Sequence, residues 1–377
     1  MRYESIKKDF FIQNRVNFCH QMIPGSIALF HSNDNMPRNG DAYHNWKQNS
    51  DLFYLTGVDQ EETVLVLFPD CPNMEFTEVL FIRRTNEKIA VWEGHKLTEE
   101  EAKEATGVQN IHWYEDFEKV MHQIILMAEN IYVNLNENDR FSNNVGYNGL
   151  SFAHKIKALY PAHKIERSAP ILGRLRAVKS ETEIDLMRKA CDITAKAHRR
   201  VLGFVKPGVM EFEIEAEITH EFIRNRSNGH AYTPIIASGK NACVLHYIEN
   251  SAKCKSGEVI LMDYGAEYAN YCADLSRSIP VNGKFTKRQK DVYNAVLRVQ
   301  RAAMKLLVPD ADYKNYHSQV GELMTKELID LKLITPKDVK NADPSWPAYK
   351  KYFMHGTSHH IGLDVHDPGT YGALQAN

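Results

Sequence analysis

Titratable side chains are crowded into one short segment near the end of the printed sequence, residues 353–367. Four histidines and two aspartates lie there within thirteen positions: His355, His359, His360, His366, Asp364 and Asp367. So dense a cluster is typical of metal binding or proton transfer rather than of an ordinary core segment. Glycines and alternating apolar residues favour an extended backbone over the helix of an HExxH zinc site. The segment therefore constrains the fold, because it requires an extended chain beside a cavity.

Within an extended segment, the histidines divide between two faces. Residues four apart on a strand share a face, so His355 and His359 are expected to point at one cavity. His360 points the other way, and we expect it to be structural. A further ligand set would normally be needed beyond this segment, and the sequence ends ten residues after Asp367.

Length and composition allow two well-buried domains. The 377 residues are 43% hydrophobic and 25% charged, as in a soluble globular protein, and the net charge of -2 points to neither nucleic acid nor an anionic membrane. The densest apolar run, residues 64–68, has the length of a strand and not of a membrane span. The charged first residues do not resemble a secretory signal, and six cysteines show no CxxC spacing. We expect a cytoplasmic protein with reduced thiols.

Local patterns predict an α/β (α+β) chain with two domains. Up to about residue 172, strand signals at 64–68 and 79–82 alternate with helix signals after Thr98 and from residue 116. A capping box at residues 180–183 starts a second region, with a first helix that Pro207-Gly208 ends and further helices from 212 to 225 and from 292 to 306. We predict domains at 1–173 and 174–377.

Asp263 and Asp274 are the first candidate ligand pair. Asp263 ends a strong strand signal, and a tight turn near Tyr268 and Ala269 would place Asp274 directly opposite it on the returning strand. Two buried carboxylates at that distance repel each other and require a cation or a shared proton. The alternative is that Asp274 is solvated in a turn or pairs with Arg277.

His246 is the remaining candidate, after a turn-rich stretch at residues 238–241. Alone it would more often be structural. Carboxylates with one or two imidazoles suit Mn²⁺, Co²⁺, Fe²⁺ or Zn²⁺. Two such ions close together can polarise a carbonyl and hold a bridging hydroxide, which is the chemistry of amide or ester hydrolysis.

These motifs together resemble the pita-bread metallopeptidases, specifically the aminopeptidase P family. The resemblance lies in the Asp263-x10-Asp274 spacing, the motif around His355 and His359, and the motif around His366. Residues 49–57, 239–247 and 280–286 are also similar to that family. The resemblance extends over essentially the whole chain and implies an aminopeptidase P N-terminal α/β domain followed by a pita-bread catalytic domain.

The resemblance implies a role for each candidate residue. Asp263 would bind one metal ion, Asp274 would bridge two, and His359 would bind the other. His246, His355 and His366 would contact the substrate and move protons, and Trp92 resembles a substrate-binding residue that reaches a neighbouring subunit's site. A hydroxide bridging two divalent ions, Mn²⁺ or else Zn²⁺ or Co²⁺, would release the residue that precedes a proline in second position.

The sequence departs from the family pattern in one respect. The family completes its dimetal site with two glutamates beyond the His366 motif, on the last strands of the catalytic domain, and the printed sequence does not include them. We therefore expect incomplete metal occupancy and weak or no activity for these 377 residues. A prolidase acting on dipeptides and a non-catalytic peptide- or protein-binding module are the alternatives. The resemblance further implies a dimer or tetramer.

Overall fold

The computed structural model describes residues 2–138, 141 and 145–369. The chain divides into two compact units, residues 1–186 with 268–271, and residues 187–267 with 272–377. The domain boundary that the sequence suggests near residue 173 stays a prediction. Within the described residues, no helix is long and apolar enough to cross a membrane.

The first unit is built on a mixed sheet. Its strands are β1 (Ser26–His31), β2 (Pro37–Asn39), β3 (Ala42–Tyr43), β4 (Val64–Leu67), β5 (Glu78–Ile82), β6 (Asn110–Trp113), β7 (Asn130–Val133) and β8 (Lys164–Arg167). Six of these described strands form one sheet in the order β6-β5-β4-β1-β7-β8, and β2 pairs with β3. Strand β1 runs antiparallel to β4 and parallel to β7. Because β1 and β4 are buried along their whole length, they carry continuous apolar runs.

Seven described helices accompany this sheet: α1 (Lys8–Cys19), α2 (Ser50–Thr56), α3 (Glu87–Glu93), α4 (Glu99–Thr106), α5 (Phe117–Ile125), α6 (Asn148–Leu159) and α7 (Ala169–Ala177). Thr98 caps α4 in the predicted capping box with Glu101. Helices α2 and α4 end in the same way, with a threonine followed by a left-handed glycine, Gly57 or Gly107. A side chain at either glycine would collide with α1, because its Cβ would lie 2.3 Å from Phe11 or 2.6 Å from Ile12.

The side chain of His31, at the end of β1, is buried and makes no hydrogen bond within the described part of the chain. It is 7% exposed, its ring lies 4.5 Å from that of Phe152 and 5.5 Å from that of Phe117, and neither ring nitrogen has a hydrogen-bond partner among the described residues. Burial lowers the pKa of His31 to about 4. The side chain is therefore a neutral aromatic group in the core at physiological pH.

His31→Phe is expected to remove part of the acid sensitivity of the fold. The folded pKa lies below the unfolded one, so the unfolded chain binds the proton first as the pH falls from 6.5 to about 4. Over that window the wild type should lose about 3 kcal/mol relative to the variant. Urea unfolding at a series of pH values measures this difference. His44→Phe, at an exposed histidine, is the control and should show no such trend; an equal trend in both variants would contradict the prediction.

The second unit contains helices and two small sheets. Helix α8 (Glu181–Phe204) crosses the division between the units, and it is followed by α9 (Glu211–Arg224), α10 (Lys287–Leu306), α11 (Tyr313–Asp330) and α12 (Pro336–Asn341). The described strands are β9 (Gly229–His230), β10 (Ile235–Ser238), β11 (Val259–Tyr264), β12 (Ala266–Tyr268), β13 (Tyr271–Cys272) and β14 (Leu275–Pro280). They form sheets in the orders β10-β11-β14 and β13-β12-β9. The predicted capping box at α8 is present, since Ser180 and Glu183 exchange hydrogen bonds.

The hairpin that carries the two aspartates has a different register from the expected one. Asp263 lies opposite Ser276 and not opposite Asp274, so that prediction was wrong. The turn is formed by Ala269 and Asn270, with φ of 51° and 64°, one residue later than expected. Two consecutive residues with positive φ make the tight turn whose twist matches a hairpin. Moving this turn by one residue shifts the pairing by two, which places Asp274 just before β14.

Candidate metal centre

Asp263 and Asp274 remain close together despite this register, because a tyrosine joins them. The Tyr232 hydroxyl lies 2.5 Å from Asp263 Oδ1 and 2.9 Å from Asp274 Oδ1. Tyr232 precedes β10, in which Ile235 pairs with Asp263. The Ser276 hydroxyl donates to the other oxygen of Asp263 at 2.8 Å. The Tyr232 hydroxyl therefore links the two carboxylates, and Ser276 holds the outer oxygen of Asp263.

The protonated state of Tyr232 follows from its surroundings. Burial, followed by the charges of Asp263 and Asp274, raises the pKa of Tyr232 well above its ordinary value. The hydroxyl therefore keeps its single proton and shares it between the two carboxylates. Sequence reasoning missed this residue, because the chain separates it from Asp263 by 31 positions. Only the pairing of β10 with β11 could have pointed to it.

His359 reaches Asp274 through an irregular segment. Residues 353–369, all of them described, form no helix, as expected, and the extended structure that the sequence favours does not become a strand. The backbone N–H of Cys272 donates to Gly362 O at 2.8 Å, and Cys272 Sγ lies 3.4 Å from Leu363 O. Because Cys272 is two residues before Asp274, this attachment brings the histidine segment to the hairpin.

The hydrogen bond of His359 to a backbone carbonyl places a proton on its Nδ1. Its Nδ1 lies 2.9 Å from His360 O, a group that only accepts, so Nδ1 carries the proton. Its Nε2 lies 3.1 Å from Asp274 Oδ2. This is the arrangement of a metal-binding histidine, whose second nitrogen is tied to a carbonyl while the first faces the ligand site. In the absence of a cation, Nε2 bonds to the carboxylate only when it too is protonated.

Electrostatics link Asp274 to this imidazole. The hydrogen bond from His359 lowers the pKa of Asp274 below its ordinary value; burial opposes the shift, and the hydrogen bond from Tyr232 and the charges of His359 and His366 reinforce it. The ring of His366 lies 4.4 Å from that of His359, nearly perpendicular to it. The backbone N–H of Asp367 donates to His360 O at 3.1 Å, which closes the turn that carries His366.

The predicted site residues do not all converge. The structure brings together Asp263, Asp274, His359 and His366. His355 is exposed, with Nδ1 2.9 Å from Gly356 O, and His246 is exposed in a loop after β10. Trp92, in α3, is 90% exposed.

The donors present fit divalent ions in type. Carboxylate oxygens and an imidazole nitrogen suit Mn²⁺, Co²⁺ or Zn²⁺. Across the ranges 2–138, 141 and 145–369, no group of three or more histidine, cysteine, aspartate or glutamate side chains is arranged so that it could hold a metal ion. The hydroxyl of Tyr232 lies between the carboxylates instead.

Comparisons with known proteins identify the family. Residues 185–376 match metallopeptidase family M24, and residues 11–132 match the aminopeptidase P N-terminal domain. A Xaa-Pro aminopeptidase of Escherichia coli (strain K12) is 33% identical over 370 residues, 97% of this chain and 83% of that protein. Zn-substituted E. coli aminopeptidase P in complex with product has a TM-score of 0.85 at 30% identity, covering 98% of this chain and 83% of that one. The aminopeptidase PepP of Pseudomonas aeruginosa has a TM-score of 0.85 at 30% identity, covering 97% and 82%.

These matches confirm the predicted α/β fold class, an aminopeptidase P N-terminal domain followed by a pita-bread domain. Membership of a metallopeptidase family also implies divalent metal ions. The chain belongs to metallopeptidase family M24 and, within it, to the aminopeptidase P group.

Proposed function

We propose that the protein is a metal-dependent aminopeptidase that releases the N-terminal residue from peptides with proline in second position. The observation that carries the proposal is the convergence of Asp263, Asp274 and His359. Tyr232 joins the two aspartates, and His359 has Nδ1 held by a carbonyl and Nε2 facing Asp274. The similarity to a Xaa-Pro aminopeptidase over 97% of this chain supports the substrate class.

Asp263, Asp274 and His359 would hold the metal in this proposal. Asp263 would bind one ion, His359 the other, and Asp274 both; Mn²⁺ is the ion we propose, with Zn²⁺ or Co²⁺ as substitutes. When bound, divalent ions polarise the carbonyl of the peptide bond and make a water molecule nucleophilic near neutral pH. Tyr232 and Ser276 orient the carboxylates through their hydrogen bonds.

Three histidines would contact the substrate or transfer protons to and from it. His366, in ring contact with His359, lies next to the ligand site and would take up or supply a proton during cleavage. His246 and His355 would orient the carbonyl and the proline ring, and Trp92 would contact substrate. An imidazole suits these tasks because its ordinary pKa is close to neutral pH.

The proposed activity makes a sharp prediction about a set of peptides. With Mn²⁺ the full-length protein should cleave a free-amine Xaa-Pro-Xaa tripeptide at the bond before proline, and EDTA should abolish the reaction. The Xaa-Ala-Xaa peptide and the N-acetylated Xaa-Pro-Xaa peptide are matched controls that should not be cleaved. Release of the first residue can be followed by mass spectrometry.

Other outcomes would point elsewhere. Cleavage of the Xaa-Pro dipeptide alone would indicate a prolidase. Tight peptide binding without cleavage in the presence of metal would indicate a binding module. Cleavage that persists in EDTA, or equal cleavage of the Xaa-Ala-Xaa peptide, would contradict the proposal.

A further inference from the structure

We propose that Glu211 is a positioning residue, whose buried carboxylate fixes the loop that presents His246. The loop in question comprises residues 238–252 and is called here the His246 loop. This inference rests on the function proposed above, because it is the role of His246 in substrate binding that makes the position of the loop matter.

Glu211 holds the start, the middle and the end of the His246 loop. It is the first residue of α9 and is fully buried. Its Oε1 accepts from the backbone N–H and the hydroxyl of Ser238, at 2.7 and 2.8 Å. Its Oε2 accepts from the Tyr247 hydroxyl at 2.7 Å and from the backbone N–H of Ala252 at 2.8 Å. One carboxylate thus joins points fourteen residues apart.

A second carboxylate, one turn along α9, anchors the same loop. Glu215 Oε2 accepts from Asn250 Nδ2 at 2.8 Å. The same amide group donates to Pro234 O at 3.0 Å, and Asn250 Oδ1 accepts from the backbone N–H of Ile236 at 2.8 Å. Asn250 is buried and has a φ of 46°, a conformation that asparagine tolerates better than most residues. Because residues four apart share a helix face, Glu211 and Glu215 both accept hydrogen bonds from the loop on the same face of α9.

The tip of the loop is exposed, in contrast to its base. Val244, Leu245 and Ile248 are 54%, 54% and 56% exposed, and His246 lies between them. Gly239, where the loop begins, has a φ of 56°, and a Cβ there would lie 2.7 Å from Glu258 Oε1. At the base of the loop, both the backbone conformation and the space for a side chain are therefore restricted. The position of His246 therefore depends on hydrogen bonds made several residues away from it.

The charge of Glu211 is needed for this role. Five N–H and O–H groups point at its two oxygens, the fifth being the Asn241 side-chain amide at 3.4 Å, and a glutamine would turn an NH₂ group toward donors. Burial alone would raise the pKa of Glu211, but the hydrogen bonds from Ser238, Tyr247 and Ala252 outweigh it and lower the pKa. The carboxylate is thus ionised when these bonds form, and it makes charge-assisted hydrogen bonds.

Glu211→Gln tests the proposal, with Glu217→Gln as the matched control on the same helix. Glu217 pairs with Arg200 on α8, and no hydrogen bond joins it to the loop among the described residues. We expect Glu211→Gln to raise amide exchange across residues 239–250 at least ~10-fold and to lower kcat/KM for an Xaa-Pro peptide by ~10–100-fold. The control should leave both unchanged. Unchanged loop exchange in folded Glu211→Gln would overturn the proposal.

A double-mutant cycle separates positioning from general destabilisation. In a His246→Ala background, Glu211→Gln should lower kcat/KM no further, because its effect passes through His246. Full additivity would overturn the positioning role. If Glu211→Gln does not fold, Tyr247→Phe removes one donor and should raise loop exchange by a smaller factor, and no change there would equally count against the proposal. If His246→Ala alone leaves cleavage unchanged, the proposed role of His246 fails, while the exchange measurement still tests the loop.

Discussion

Replacing Asp274 with asparagine is expected to abolish metal binding and to lower peptide cleavage by at least ~10³-fold. Changing a partner one step removed from a metal ligand costs 10–100-fold, and Asp274 is the side chain on which the site converges. One of its oxygens accepts from Tyr232 at 2.9 Å, and the other lies 3.1 Å from His359 Nε2. Asparagine keeps the shape but removes the charge that attracts a cation.

Isothermal titration with Mn²⁺ and the rate of Xaa-Pro cleavage measure this effect separately. Asp343→Asn is the control, since Asp343 is an exposed aspartate of the second unit that only caps a turn at Ser345. It should bind metal like the wild type. Wild-type Mn²⁺ affinity in Asp274→Asn would show that Asp274 is not a ligand.

A double variant tests whether Asp274 and His359 act as one unit. His359→Ala should also weaken Mn²⁺ binding, and the loss in Asp274→Asn with His359→Ala should be smaller than the sum of the separate losses. Side chains in direct contact that share a ligand are not independent. Independent, additive effects would indicate that the 3.1 Å contact does not belong to a single site.

Local patterns predicted the elements of the hairpin but not its register. The apolar run before Asp263 and the returning strand are present as β11 and β14. The turn, however, uses Ala269 and Asn270 with positive φ, and alanine rarely adopts that conformation. Nothing in the sequence marked Ala269 for it, and an error of one residue in a turn becomes an error of two in the pairing.

The histidine segment shows a second limit of sequence reasoning. The composition of residues 355–366 was enough to select His359 as a candidate. Its contact with Asp274 depends on hydrogen bonds from Cys272 to Gly362 and Leu363, in a segment without repeating structure. Periodicity carries no information about such a segment, so the convergence of His359 and His366 could not be derived from it.

Buried charged residues were the least visible feature. Glu211 reads as an ordinary acidic residue in the first turn of a helix, and Arg15 as a surface residue of α1. Both are fully buried in the structure. A charged residue is buried only where several partners meet it, and those partners come from distant parts of the chain. Only the tertiary structure shows them.

Arg15→Met is expected to lower the free energy of unfolding of the first unit by about 3 kcal/mol. The guanidinium donates to Leu55 O near the end of α2 at 2.9 Å and to Thr106 O at the end of α4 at 3.0 Å. It also lies 3.2 Å from Glu78 Oε1. Carbonyls at helix ends lack partners within the helix, and methionine would leave both of these buried and unsatisfied.

Two further variants, Arg15→Lys and Lys8→Met on the same helix, test whether the effect is specific to the guanidinium. Arg15→Lys keeps the charge but offers a single ammonium in place of a planar fork, so its loss should be intermediate. Lys8 on α1 pairs with Glu104 on α4 at 3.2 Å, with side chains 40% and 82% exposed, so Lys8→Met should cost less than about 0.5 kcal/mol. Urea unfolding measures all three variants. A loss in Lys8→Met as large as in Arg15→Met would show that the charge of α1, and not the two helix-end carbonyls, sets the stability of this region.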